Sequence, residues 1–335
     1  MTILVTGGTG YIGSHVTVQL LEAGYEVIIL DNLSNSKKTV IEKIKKITQK
    51  DLSFTEGDIR DKDTLQSLFS KNKISAVMHF AGLKSVAESE LTPLKYYDNN
   101  VIGSILLFQS MLEANVHNIV FSSSATVYGK SEEIQYTEDS LLSPVNVYGK
   151  TKLTVENILH DLKKSTPRLG VAILRYFNPV GAHSTGEIGE DPSNLPNNLM
   201  PYIAKVASGE LKELNIYGNN YPTLDGTGRR DYIHVEDLAS GHIKALDKII
   251  TSNEILTINL GTGYSYSVLD MVNTFEKVSG KKIPYRFVNR RSGDLAEYFA
   301  NAELAKKILG WEAKYNLEKI CSDTWNSINK KTILN

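Results

Sequence analysis

Cysteine is almost missing from this chain: Cys321 is the single one in 335 residues. One thiol cannot make an intramolecular disulfide framework or a cysteine-based zinc site, and it fits a reducing compartment. Long apolar runs are also missing. Stretches such as Val27–Leu30 and Ile105–Phe108 are short, whereas a membrane span needs about 20 apolar residues. Charge of one sign is missing too. Lys and Arg number 37 against 38 Asp and Glu, for a net charge of −1, so a broad basic nucleic-acid footprint is excluded. The seven histidines are scattered, and His234 and His242 lie eight apart without an HExxH frame, so no metal is expected. His15 and His79 are expected to pack or cap. Met1–Leu4 leads straight into a glycine-rich stretch, with no basic flank or apolar leader. The expectation is a cytoplasmic protein, without nucleic-acid or membrane partners.

Hydrophobic residues make up 41% of the chain, which argues against disorder and supplies a sizeable core. Short apolar runs at Ile3–Val5, Val27–Leu30, Ala76–Met78 and Ile119–Phe121 alternate with amphipathic segments such as Ser14–Ala23 and Asp63–Phe69. This alternation predicts a parallel sheet covered by helices on both faces. A long helix is expected over Tyr96–Ala114, with Pro93 near its start. Beyond about residue 180 the alternation is broken by Pro179, Pro192, Pro196, Pro201 and Pro222, and long loops of this kind commonly carry binding residues. The expected fold is α/β: a Rossmann-type doubly wound parallel sheet over 1–178 with a smaller C-terminal α/β substrate lobe over 179–335. Some chain is expected to cross back to the first part.

Gly7, Gly10 and Gly13 follow the first strand and open the first helix, and Gly8–Gly13 satisfies G-x-G-x-x-G. Glycines there permit a tight turn and let the backbone approach a pyrophosphate at a helix N-terminus. The second strand ends at Asp31, 18 residues after Gly13, where a carboxylate can bind the adenosine ribose 2′-hydroxyl. That carboxylate repels a 2′-phosphate, and no arginine follows nearby, which predicts NAD over NADP.

Tyr148 and Lys152 form Tyr-x-x-x-Lys and share a helix face. Tyr315 and Lys319 repeat the pattern near the C-terminus, where they read as a solvated helix pair. Position favours the first pair, which follows Ser122-Ser123-Ser124 at the end of a strand, where doubly wound sheets bind ligands. A tyrosine needs its pKa lowered by about 3 units, roughly 4 kcal/mol, to act as a base near pH 7. A cation about 5 Å away supplies roughly 3 kcal/mol at an effective dielectric of about 20. Lys152 together with a nicotinamide cation is expected to supply it, with Ser124 sharing the proton path.

At these residues the chain resembles the extended short-chain dehydrogenase/reductase family, and within it the UDP-hexose 4-epimerases. The likeness runs through Thr6–Gly13, Leu30–Leu33, Glu56–Arg60, His79–Lys84, Tyr96–Asn100, Ser122–Gly129, Arg175–Ala182, Pro196–Pro201, Asp225–Gly228, Arg230–Val235 and Arg290–Leu295. It implies reversible inversion at C4 of UDP-glucose and UDP-galactose, through a 4-keto sugar, with tightly held NAD. Serving galactose metabolism and glycan synthesis, this reaction consumes no NAD. Carried over by motif, Ser124, Tyr148 and Lys152 are catalytic and also contact the cofactor. Gly7, Gly10, Tyr11, Ile12, Gly13, Asp31, Asn32, Leu33, Ser34, Asn35, Ser36, Asp58, Ile59, Phe80, Ala81, Gly82, Lys84, Asn99 and Phe177 complete the NAD site. Lys84, Ser124 and Tyr148, with Asn178, Asn198, Leu199, Asn215, Tyr217, Arg230, Arg291, Asp294 and Tyr298, are implied for the UDP-sugar. Arg230 and Arg291 also read independently as phosphate ligands, because arginine matches phosphate oxygens bidentately.

Tyr298 resembles a size gate near the sugar C2 substituent, which implies a preference for UDP-hexoses over UDP-N-acetylhexosamines. Related sugar-nucleotide dehydratases carry an acidic residue where Ala125 and Thr126 stand here, so dehydration is not expected. A non-catalytic NAD-binding regulator typically loses the tyrosine or lysine that this chain retains. A homodimer pairing the helices at Tyr96–Ala114 and Tyr148–Leu162 is implied by the family likeness.

Overall fold

The computed structural model describes residues 1–129, 133–191, 196, 198–291 and 294–334. Pro192, Asn197, Ser292 and Gly293, named among the motifs and loops above, lie outside the described residues. The first half follows the alternation read from the sequence: β1 (Thr2–Thr6), α1 (Tyr11–Glu22), β2 (Glu26–Asp31), α2 (Thr39–Thr48), β3 (Ser53–Glu56), α3 (Lys62–Lys71) and β4 (Ile74–His79). A helical segment over Pro93–Glu113 ends in α4 (Gly103–Glu113), then come β5 (Asn118–Ser122), α5 (Val147–Ser165) and β6 (Gly170–Tyr176). After a long excursion the chain returns with α6 (Val235–Ser252) and β7 (Ile255–Leu260).

These strands form one parallel seven-stranded sheet in the order β7-β6-β5-β4-β1-β2-β3. Ile3, Leu4, Val5, Ile29, Leu30, Val77, Ile119 and Ile173 are buried on both faces. A parallel sheet covered on both sides needs such unbroken apolar strands. Strand order reverses between β1 and β4, so their carboxyl ends splay apart and open a crevice there. Within these runs helix boundaries follow local chemistry. The Asp61 carboxylate accepts the Asp63 and Thr64 amides to start α3, and the Asn146 side chain accepts the Gly149 amide at 2.7 Å to start α5.

The helix expected over Tyr96–Ala114 differs in two ways. It begins at Pro93, whose fixed φ suits a first helical position, and Tyr97–Ile102 is wound as a π-helix. Inside the wider turn the Asn100 side chain accepts from Leu83 N and donates to Leu83 O and to the Thr151 hydroxyl. Insertions of this kind often mark functional segments.

The second lobe has its own core of Val180, Met200, Ile203, Leu214, Ile216, Met271, Phe275, Ile320 and the buried Cys321. Its helix Val268–Ser279 starts with a reciprocal Ser267/Asp270 cap. Segment 235–260 crosses back over the expected boundary at 178: α6 lies against α1, and β7 extends the large sheet. Asp231 ties these parts together, its buried carboxylate accepting from Thr262, Gly263 and Ala300 amides. Among the described residues no helix is long and apolar enough to cross a membrane.

Candidate active site

One cleft of about 1850 Å³ runs along the carboxyl ends of the large sheet and under the second lobe. At its β1 end the backbone turns at Gly7, which has φ +72°, and a Cβ there would lie 2.7 Å from the Ala81 amide nitrogen. A Cβ at Gly13 would run into the Gly7 carbonyl. The first turn of α1 holds no acidic side chain and no side-chain cap, which leaves its amides and positive end for an anion. The Asp31 carboxylate stands at the end of β2, accepting from Thr9 N at 3.0 Å and Leu33 N at 2.9 Å. Glycine cradle, uncapped helix and carboxylate together fit the pyrophosphate and ribose of a dinucleotide.

Of the residues implied for the cofactor, all line the cleft except Leu33 and Asp58. Leu33, in left-handed backbone at φ 57°, supports Asp31 through its amide. Asp58 stands behind Asn32, accepting its side-chain amide at 2.8 Å. The Arg60 guanidinium beside it holds the Asp58 carboxyl well below the usual range.

Tyr148 and Lys152 lie on α5 with Tyr148 facing the cleft. Lys152 is buried, donates to Ser122 O at 2.7 Å, and sits 4.9 Å from the Phe121 ring and 5.8 Å from the Tyr148 ring. Burial pulls Lys152 down to about 8, partly opposed by Glu156. Ser124, just past β5, accepts from the Thr126 amide and hydroxyl and lowers Tyr148 through a side-chain hydrogen bond. The sequence expectation, a lowering by Lys152 together with a nicotinamide cation, concerns the NAD-bound site. Desolvation pushes the Tyr148 hydroxyl up to about 12 in the protein itself, outweighing the hydrogen bond.

All the residues implied for the UDP-sugar reach the same cleft. Arg230 is ion-paired with Asp294 and stacks 4.5 Å over the Tyr298 ring. Arg291 lies 4.1 Å over Tyr217. Tyr298 is hemmed by Phe177 at 6.0 Å and Tyr136 at 6.2 Å between ring centres. Asn178 donates to Asp231 O at 3.1 Å.

Comparison with known proteins agrees with this geometry. The model of the GDP-mannose 4,6 dehydratase family matches residues 4–324. A UDP-glucose 4-epimerase of Bacillus subtilis is 57% identical over 97% of this chain and 96% of its own length. A bifunctional UDP-glucose and UDP-xylose 4-epimerase of Pisum sativum is 53% identical over 97% and 94%. A solved UDP-glucose 4-epimerase of Stenotrophomonas maltophila, with bound NAD and formylated UDP-arabinopyranose, superposes with TM-score 0.98 at 48% identity, covering 100% of both chains. The chain belongs to the UDP-glucose 4-epimerase family.

As a member of this family it lacks the acidic residues of the dehydratases: Ala125 and Thr126 open the short 3-10 turn after Ser124. Three features were given no role from the sequence. Glu190 lines the cleft and accepts at 2.9 Å from both Lys84 and Asn198. Tyr176 reaches the cleft and shares a hydrogen bond with Ser122. The buried Glu156–Arg175 ion pair underlies Ser123, beside Ser124. Arg175 and Tyr176 stand in the Arg175–Ala182 stretch and Glu156 four residues after Lys152 on the same helix face, so Glu190 alone had no signal in the sequence.

The second Tyr-x-x-x-Lys match also needs correcting. Tyr315 precedes the helix Leu317–Leu334 and packs 4.7 Å from the His234 ring, and Lys319 binds Asp323 at 2.8 Å. Both are half-buried, away from the cleft. His15 and His79 are buried inside the fold, His79 between the Thr6 and Ser104 hydroxyls. His234, Glu236 and Asp323 come close together, but His234 Nδ1 accepts the Glu236 amide and its Nε2 faces Asp323, which leaves neither nitrogen for a metal.

Proposed function

We propose that the chain interconverts UDP-galactose and UDP-glucose by inverting C4 through a transient 4-keto sugar. The observation that carries this reading is the convergence of Ser124, Tyr148 and Lys152 with Arg230 and Arg291 on one cleft that begins at a glycine cradle. The cradle and Asp31 would hold NAD, with Asp31 disfavouring a 2′-phosphate. Bound NAD supplies the hydride acceptor and donor for C4. Tyr148 takes the C4 hydroxyl proton and later returns it, and Ser124 orients both through its hydroxyl. With Tyr148 pushed up to about 12, its phenolate needs positive charge nearby. Lys152, protonated below about 8, is the group of this chain that provides it.

Arg230 and Arg291 match the diphosphate, and Asn178, Asn198, Leu199, Asn215 and Tyr217 complete the wall around the nucleotide. Tyr298 bounds the sugar pocket and disfavours UDP-N-acetylhexosamines. A UDP-pentose adds no bulk at C2, and one relative's name includes a UDP-xylose activity, so UDP-xylose is a second substrate on this reading. A homodimer pairing the helices at Tyr96–Ala114 and Tyr148–Leu162 is part of this reading, and Ile102, an exposed apolar residue on the first of them, supports it. Sedimentation at micromolar concentration tests that assembly, and a monomer there contradicts it. The reaction itself is tested by incubating purified protein with UDP-galactose and no added NAD. UDP-glucose formed to a fixed equilibrium ratio supports the reading; no conversion even after NAD is added overturns it.

A further inference from the structure

Tyr148, Lys152 and Glu156 recur at every fourth position of α5 and so share one face of it. Glu156 is fully buried. One of its carboxylate oxygens accepts from the Ser123 hydroxyl and from Arg175 Nε at 3.1 Å, and the other from an Arg175 terminal nitrogen at 2.6 Å. Ser123 stands between the residue whose carbonyl accepts from Lys152 and the serine that bonds Tyr148. Arg175 belongs to β6, immediately before the cleft residues Tyr176 and Phe177, and also donates to the Tyr128 hydroxyl and the Glu138 carbonyl. One carboxylate therefore clamps the catalytic helix to both strand ends that carry its partners.

Among the described residues, the groups facing Lys152 are few. Tyr148 and Glu156 come from its own helix, and Ser122 and Phe121 from β5. From β4 comes His79, which burial pulls down to about 3 and so keeps uncharged. Gly82 lies beyond, and Tyr176 reaches the site through Ser122. Of these, Glu156 is the negative charge, and it is shared with the Arg175 guanidinium.

We propose that Glu156 is a positioning residue of the reaction, whose buried carboxylate keeps Lys152 charged and holds Ser124 against Tyr148. This rests on the roles given above to Tyr148 and Lys152. Removing an opposite charge near a buried ammonium lowers its pKa by about 1 unit or more. Lys152 then discharges earlier and the alkaline limb of turnover moves toward neutral pH.

The test is kcat and KM for UDP-galactose across about pH 6–10 on NAD-loaded wild type, Glu156→Gln and Glu156→Gln/Arg175→Met. The double variant is included because the single one strands a buried guanidinium, which is strongly destabilising. In folded Glu156→Gln the alkaline limb is expected to move down by about 1 pH unit, and in the folded double variant in the same direction by less, because the Arg175 charge leaves with that of Glu156. For Glu156→Gln that makes kcat at about pH 9 roughly five-fold lower relative to pH 7 than in wild type, with KM within about two-fold. The double variant is expected to recover melting temperature while keeping the shifted limb. A limb that coincides with wild type in either folded variant overturns the proposal, because a purely structural Glu156 would change stability and leave the profile in place. Tyr148→Phe runs beside them: if it retains turnover, the underlying roles fail, whereas a dead Tyr148→Phe with unshifted Glu156 variants sinks this inference alone.

Discussion

Replacing Lys152 by methionine should expose the stability that this site gives up for chemistry. Lys152 is buried with its ammonium on one carbonyl, and its pKa falls from 10.5 to about 8. The unfolded chain holds that proton up to its ordinary pKa while the folded chain releases it near 8. Between those values the unfolded state binds more protons, so wild-type stability rises with pH. At neutral pH the charged Lys152 costs the fold about 3 kcal/mol, at about 1.4 kcal/mol per pKa unit. Lys152→Met removes that dependence, whatever constant offset the lost hydrogen bond and changed packing add. The gap between wild type and variant should therefore move by about 2 kcal/mol in favour of wild type from pH 7 to pH 9.5. Urea unfolding at four pH values, on protein refolded without added nucleotide, reads this gap directly. Parallel stability curves across that range would show that Lys152 titrates near its ordinary value, and the reasoning about its burial would be wrong. The same variant should lose turnover by about 10²-fold or more, because positive charge beside Tyr148 is gone.

Three further outcomes follow from the site. Gly13→Ala places a Cβ against the Gly7 carbonyl and should abolish retention of NAD through gel filtration, read from nucleotide released on denaturation. Arg230→Leu removes a charged ligand of the kind worth about 1.5–3 kcal/mol. It should raise KM for UDP-galactose roughly 10- to 100-fold with kcat less affected, and an unchanged KM would remove Arg230 from the substrate site. Tyr298→Cys opens the ring cluster formed with Phe177, Tyr136 and Arg230. It should increase kcat/KM for UDP-N-acetylgalactosamine at least about ten-fold, as expected for relieving a steric clash worth about 1.4 kcal/mol or more.

The parallel sheet was legible because its strands are buried on both faces and so appear as plain apolar runs, as Leu4, Ile29, Val77 and Ile119 do. The glycine turn and Asp31 were legible for a different reason: backbone approach to a phosphate restricts residue type at fixed spacing. The π-wound turn at Tyr97–Ile102 was not, since no local propensity distinguishes it and its cause is tertiary, the Asn100 bonds to Leu83 and Thr151. Glu190 was invisible because it carries no motif, and only the fold brings it between Lys84 and Asn198. The desolvation that raises Tyr148 in the protein itself was beyond sequence, because it depends on how much solvent the folded site excludes. Sequence spacing names the pair; only the packing sets its protonation.

The central claim is that C4 is inverted by taking a hydride away and returning it, with Tyr148 handling the proton. UDP-galactose carrying deuterium at C4, incubated with the enzyme in ordinary water, tests that most directly. The account predicts UDP-glucose that keeps its deuterium at C4 and forms more slowly than from unlabelled substrate. Deuterium lost to solvent in the product would mean that C4 gives up a proton instead of a hydride, and would contradict the account.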